Sequence, residues 1–401
     1  MARHGLTITS KSPVIQRYAS CDMVSRHAYR IQAAAGKRSF GSPGGSIFSF
    51  HPHFCALQHP QLLVMSQEIT RMVACTKGYR MLGSPESKTK DLESIARSGG
   101  ALHRMAARIP TYWTDARENP AWLPMFLLAR TILFRKAHWL TARPVPREAN
   151  SSPSMFGDLD ARMIAAKLKS TGIFSGFTLP AEIHEAIARF AQETPCFGNF
   201  DRKLEFLAGE HTEAERRFGR TILSGHHFER VLQCEAAVAV QQDPLLLNVA
   251  KHYLGGEAKL ITTRTWWSFP TKTATDADLS RASFKFHFDL DDWRMLKFFF
   301  YLSDVDPDSG PHVYMRGSHN RRRLKHQLTL LVGHPAEEVL DFYGEENAIT
   351  LTGKAGSGFV EDPFGFHMGT LARQTPRLMM EVGFGVSKPS KRRYHGEPVI
   401  R

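Results

Sequence analysis

Three residues carry the strongest chemical signal in the chain: His287 and Asp289, within S-F-K-F-H-F-D at 283–289, and His367, within F-G-F-H-M-G. In the first segment Phe284, Phe286 and Phe288 alternate with Ser283, Lys285, His287 and Asp289. A period of two predicts a strand with one apolar and one polar face, so His287 and Asp289 point the same way. An imidazole and a carboxylate on one strand face supply two ligands of a 2-His-1-carboxylate facial triad. That donor set leaves coordination positions open for substrate and oxygen. His367 is the candidate third ligand.

The H-x-D/E spacing alone is a weak signal, and the chain contains its own controls in His211/Glu213, His227/Glu229 and His395/Glu397. The first two pairs lie in segments of helical pattern, where positions i and i+2 face different sides. The third lies in the basic tail K-P-S-K-R-R-Y-H-G-E. Only His287 and Asp289 combine the spacing with a strand. A second decoy, Asp304-Val-Asp306-Pro-Asp308-Ser-Gly310, begins like a calcium loop. Its glycine falls one place late, however, and Met315 stands where a bidentate Glu is needed, so it reads as a turn between strands.

The elements that must position the triad follow a two-part pattern. Helical periodicity appears at 61–75, 87–106 and 119–140, then at 159–170, from Pro180 onward, and at 226–241 and 243–254, the last ending at Gly255-Gly256. Residues 172–178 read as an extended or turning link. The period then changes. Seven segments rich in β-branched and aromatic residues, 258–270, 283–289, 294–302, 311–315, 348–352, 357–361 and 376–386, read as strands between Asp, Gly and Pro turns. Helices followed by strands predict an all-β sandwich or barrel core flanked by α-helices. The expected organisation is a basic, disordered or targeting segment at 1–60, a basic helical region at 61–150, a domain at 155–388 that holds the three candidate ligands, and a basic tail at 389–401. Pro144, Pro146 and Pro153 mark the linker.

The formal net charge of +13 belongs to the first third: residues 1–150 hold 21 Lys+Arg against 8 Asp+Glu, and the remainder balances. The five cysteines are scattered, without a C-x-x-C pair, which argues against a disulfide framework or zinc knuckle and for a reducing compartment. The expected location is cytoplasmic, or mitochondrial if the arginine-containing, acid-poor N-terminal segment is a transit peptide. The longest apolar stretch, 123–140, is interrupted by Arg130, Arg135, Lys136 and His138, so no membrane span is expected. Oligomeric state is not legible.

The motifs H-F-D, then F-F-F-Y-L-S-D-V-D-P-D-S-G-P-H-V-Y-M-R-G-S-H, then G-S-G-F-V-E-D-P-F-G-F-H-M-G with a following arginine resemble the phytanoyl-CoA dioxygenase family of iron- and 2-oxoglutarate-dependent oxygenases. The resemblance covers 155–388 and is specific between 283 and 385. It implies a double-stranded β-helix (jelly-roll, cupin-like) holding Fe(II) through His287, Asp289 and His367. It also implies Arg377, ten residues past the distal histidine, gripping the far carboxylate of 2-oxoglutarate, with Arg373 as the runner-up. O2 would be the co-substrate, and succinate and carbon dioxide would be released as a small molecule is oxidised. Family halogenases lack the carboxylate ligand; Asp289 is present, which favours hydroxylation. The competing expectations are a non-catalytic β-barrel that captures a small molecule, and a cupin-type metalloenzyme that does not use 2-oxoglutarate.

Several further residues have open roles at this stage. Lys285, on the predicted polar face, is a possible cosubstrate or substrate contact, or else lies where the strand begins and reaches solvent. Trp266 and Trp267 are expected to fill the core at one position at least. Asp291, Asp292 and Trp293 read as a solvated turn or a cationic-substrate contact. His312 and His319 are expected to support the site without ligating. Arg321, Arg322, Arg323 and Lys325 read as a solvated basic surface; with a neutral domain no nucleic-acid partner is expected, and a phosphate-bearing substrate such as an acyl-CoA stays open as an alternative.

Overall fold

The computed structural model describes residues 119–143, 153–256, 258–271, 285–329 and 333–387, with positions 113, 116, 117 and 145 and the strand Thr7–Thr9. All belong to one of two units into which the chain divides, 1–22 with 100–401; the other, 23–99, lies outside the described residues. The expectations for 1–60 (apart from Thr7–Thr9), for the helices at 61–75 and 87–106, and for the basic tail also lie outside them.

Two antiparallel sheets form the core. The larger runs in the order β2 (Ile173–Thr178), β10 (Ser357–Glu361), β7 (Met295–Tyr301), β12 (Arg377–Gly385), β6 (Lys259–Ser268), β5 (Ser224–His226), β3 (Cys196–Gly198) and β4 (Glu205–Phe206). The smaller runs β1 (Thr7–Thr9), β9 (Ala348–Thr352), β8 (His312–Met315) and β11 (His367–Gly369). Alternation along each strand sorts side chains between two interiors. Phe299 and Tyr301 of β7, Phe359 of β10 and Met379 of β12 meet Tyr314 of β8 with Ile349 and Leu351 of β9 between the sheets. Their neighbours Phe298, Phe300, Val360, Leu378, Met380 and Val382 face the helices instead. The fold is therefore an all-β core flanked by helices, as the change of period predicts, in the double-stranded β-helix form that the family resemblance implies.

The helices behind the large sheet end where their sequence says they should. Helix Ala161–Thr171 is capped by Asp160, whose carboxylate accepts from Arg162 N at 2.8 Å, and buries Ile164, Ala165 and Leu168. It stops at Gly172, whose φ of +83° suits glycine, and where a Cβ would lie 2.6 Å from His319 Nδ1. Helix Pro244–Leu254 is capped by Asp243, has proline in its first turn and ends at left-handed Gly255. No helix among the described residues is long and apolar enough to cross a membrane.

Part of the 61–150 region packs onto this core. The predicted helix at 119–140 is two helices, Trp122–Leu128 and Ile132–Trp139, parted at 129–131. Thr131 caps the second, its hydroxyl accepting from Phe134 N. From the second helix Arg135 reaches Asp362, at 3.1 and 2.8 Å from its two oxygens, with its guanidinium 4.0 Å from the Phe364 ring. Tyr253 donates to the same carboxylate at 2.6 Å. Both charged groups are buried. Removing one member of such a pair strands the other, so Arg135→Met is expected to lower folding stability by about 3–5 kcal/mol in chemical denaturation, whereas truncating exposed Lys136 should change it by less than about 0.5 kcal/mol.

Candidate metal centre

His287 and His367 are a reciprocal antiparallel pair: each backbone N–H donates to the other's carbonyl at 2.9 Å. That pairing sets both side chains on one face of the ribbon, close together. Asp289 N donates to Pro363 O at 2.8 Å, which holds the third residue against the same segment. The imidazoles lie 4.3 Å apart between ring centres. His287 Nε2 is 3.9 Å from Asp289 Oδ1, and His367 Nε2 is 3.9 Å from Asp289 Oδ2. One donor atom from each residue lies within 4.8 Å of the others.

Each imidazole is oriented by its own chain. His287 Nδ1 donates to Lys285 O at 2.9 Å and His367 Nδ1 to Gly365 O at 3.0 Å. With a carbonyl accepting at Nδ1, the Nε2 lone pair is left free toward the centre of the triad, the tautomer a metal requires. Burial pushes both imidazoles below their ordinary pKa, His367 to about 4, so both are neutral near pH 7. Burial alone would raise the Asp289 carboxyl, but the adjacent ammonium of Lys297, followed by the two imidazoles, holds it well below the usual range. Two neutral imidazoles and one ionised carboxylate, all aimed inward, are a donor set fit for a divalent iron-type ion.

The strands of the large sheet surround this set with ionisable groups that periodicity alone did not single out. Lys297 interrupts the apolar run of β7. Its Nζ lies 2.6 Å from Asp289 Oδ2, 3.2 Å from Asp291 and 3.7 Å from Glu381. Glu381 of β12 also pairs with Arg264. Glu361 of β10 contacts His312 Nε2 at 2.9 Å and His367 Nδ1 at 3.7 Å. Burial pushes the Glu361 carboxyl up to about 8 and the His312 imidazole down to about 3, so burial works against an ion pair between them. The available signal was a lone charge at an alternate position of an apolar strand, which must be paired if buried.

Arg377 opens β12 on the face it shares with Met379 and Glu381, and is buried. Its Nη2 donates to Ser268 Oγ at 3.0 Å and Nη1 to Gly310 O, and its Nε has no hydrogen-bond partner among the described residues. Arg373 is exposed in the preceding loop. The strand expected at 283–289 is reduced: Phe286 and His287 form isolated bridges, and 288–290 carry no ladder. Lys285 contributes its carbonyl to His287, and the ammonium of Lys297 meets Asp289.

Elsewhere, His211 bonds to Ile222 O within helix His211–Phe218, and His227 sits beside a 3-10 turn, both apart from the triad. Asp304 accepts from Lys354 and Ala355, and Asp306 from Asp308 N and Ser309, as expected of a turn. Trp267 is core, and its indole donates to Ala191 O. Asp292 corrects the solvated-turn expectation: it is buried and accepts from Trp293, Val386 and Ser387 backbone N–H groups. Arg322 departs from its solvated neighbours. It is buried against Phe288, Phe364 and Phe366 at 3.9, 3.8 and 4.9 Å, because three rings from two segments offer it π-faces. His319 contacts Asn320 and the Lys169 carbonyl of helix Ala161–Thr171.

Among solved structures the chain is similar to EctD from S. alaskensis with 2-oxoglutarate and 5-hydroxyectoine, at 20% identity over 64% of this chain and 92% of that one, TM-score 0.41. It is also similar to HygX from Streptomyces hygroscopicus with nickel and 2-oxoglutarate bound, at 16% identity over 58% and 89%, TM-score 0.38. AviO1 from Streptomyces viridochromogenes matches at 12% identity over 58% and 99%, TM-score 0.38. No family model and no curated protein matches the chain.

Proposed function

We propose that this chain is an iron(II)- and 2-oxoglutarate-dependent oxygenase that hydroxylates a C–H bond of a small molecule. The observation that carries this reading is the convergence of His287 Nε2, His367 Nε2 and the Asp289 carboxylate inside a β-helix. The buried Arg377 adds to it, from a strand whose same face carries Glu381 beside Lys297. Bound iron with 2-oxoglutarate and O2 would supply the oxidising power, with succinate and carbon dioxide released.

The residues present have definable tasks. His287, Asp289 and His367 would hold the ion on one side and leave the rest of its coordination sphere to cosubstrate and oxygen. Lys285 O and Gly365 O keep the two rings turned toward it. Arg377 would take the far carboxylate of 2-oxoglutarate through its planar fork, with Ser268 holding the guanidinium in plane. Trp266 of β6, on the face between the sheets, would meet the substrate. Exposed Arg321 and Arg323 leave room for a phosphate-bearing one. The buried free thiols of Cys196 and Cys234 fit a reducing compartment such as the cytoplasm.

The test is anaerobic iron loading of the chain, then oxygen and 2-oxoglutarate, with succinate measured. Formation of succinate, even uncoupled from a substrate, is the expected result; none from iron-loaded protein overturns the reading in favour of a binding barrel or a metalloenzyme without 2-oxoglutarate. Arg377→Lys keeps the charge and loses the two-point contact. The KM for 2-oxoglutarate should rise about 10- to 100-fold with iron retention unchanged, whereas Arg373→Lys should leave it unmoved.

A further inference from the structure

We propose that His326, His334 and Glu338 form a second cation site, separate from the triad, that takes a transition-metal dication of the zinc type. His326 comes from the short helix Leu324–Leu328, His334 from the segment bridged to Phe286, and Glu338 from the first turn of helix Ala336–Tyr343. One donor atom from each lies within 4.8 Å of the others. His326 Nε2 contacts Glu338 Oε1, and the two imidazole rings are 4.8 Å apart.

Two observations point to a ligand rather than to packing alone. His326 and His334 are 1% and 7% exposed, and His326 Nδ1 and His334 Nε2 have no hydrogen-bond partner among the described residues. A buried ring nitrogen without a partner is costly, and a metal ion is one way of satisfying it. His334 Nε2 has no partner to give up, whereas His326 Nε2 bonds to Glu338, so a cation between them takes Nε2 as the ring's proton moves to the unpartnered Nδ1.

Two imidazoles and one carboxylate favour zinc, nickel or copper over magnesium or calcium. The opposing charges nearby are Lys325, which bonds to Glu338 Oε1 at 2.8 Å but is half exposed and free to withdraw, and Arg322, which lies against three phenylalanine rings. The site's position suggests its use. His334 N donates to Phe286 O at 2.7 Å, and the next residue is His287. A cation here would tie two helices to the segment that presents the first ligand of the triad, a bracing role.

The test uses the full chain carrying Asp289→Ala and His367→Ala, so that the outcome does not depend on the oxygenase reading. Zinc is titrated by equilibrium dialysis, and cobalt(II) is added separately to read its d–d absorption. One equivalent of zinc is expected. Adding Glu338→Gln or, separately, His334→Gln should weaken it by at least about 100-fold, beyond the 10- to 100-fold typical of losing a group behind the ligands. Zinc should raise the melting temperature of the triad-disrupted protein and not that of the Glu338→Gln version. Circular dichroism shows which additions fold, and Glu338, being partly exposed, is the one that tolerates replacement. Absence of zinc binding in the triad-disrupted chain, or undiminished binding in folded Glu338→Gln, overturns the site.

Discussion

Asp289→Asn is expected to abolish iron retention and, with it, succinate formation, each by more than about 100-fold, the scale exceeding what loss of a supporting group costs. The side chain keeps its shape and an acceptor oxygen for Lys297, while the donor set loses its only negative charge. Folding should be little altered, because Lys297 keeps Asp291 at 3.2 Å and Glu381 at 3.7 Å. That separates loss of metal from loss of structure: iron content after desalting should fall while the denaturation midpoint moves little. A variant that retains stoichiometric iron and turns over would remove Asp289 from the donor set. The decoy control is His211→Ala, whose ring bonds to Ile222 O instead of facing the triad, and which should keep iron and turnover wherever it folds.

The faces of strands were legible in the sequence, whereas what crosses between strands was not. Alternation in S-F-K-F-H-F-D suggested that His287 and Asp289 share a side. The structure brings them together differently, through the reciprocal backbone pair of His287 with His367 and the bond from Asp289 N to Pro363 O. Local periodicity cannot see such a partner eighty residues on. The same limit explains Lys297 and Lys285. Both are lysines in strand-like runs, and only the register of β7 against β10 and β12 decides which ammonium lies among carboxylates. Arg322 was grouped with its basic neighbours because a run of like charges usually faces solvent; burial needed Phe288, Phe364 and Phe366 to converge, a tertiary fact. His326, His334 and Glu338 escaped notice for a related reason. Their spacing matches no strand-face pattern, and they meet only because His334, bridged to Phe286, lies between the helices that carry His326 and Glu338.

Lys297→Met should be the most destabilising single change at the centre, about 3–5 kcal/mol in metal-free protein. Its ammonium is 4% exposed and stands among three carboxylates, with Glu381 fully buried and Asp289 and Asp291 each 23% exposed. Methionine fills a similar volume and leaves Asp289 without its nearest cation, so the loss is of charge compensation, not packing. Glu381 keeps Arg264 and is the less affected partner. The pH dependence follows from the directions of the shifts. Asp289 and Glu381 both titrate below their ordinary values in the fold, so their stabilisation is present above about pH 5 and is lost as pH falls through the folded values. In the variant only the two imidazoles still oppose burial at Asp289, so its carboxyl rises from its wild-type value and that part of the acid dependence weakens. Guanidinium denaturation of chelator-treated protein at pH 7 and pH 4.5 measures this directly: the gap between wild type and Lys297→Met should narrow at the lower pH. A gap that stays constant would mean that Lys297 stabilises the centre through its methylene stem and not through its charge.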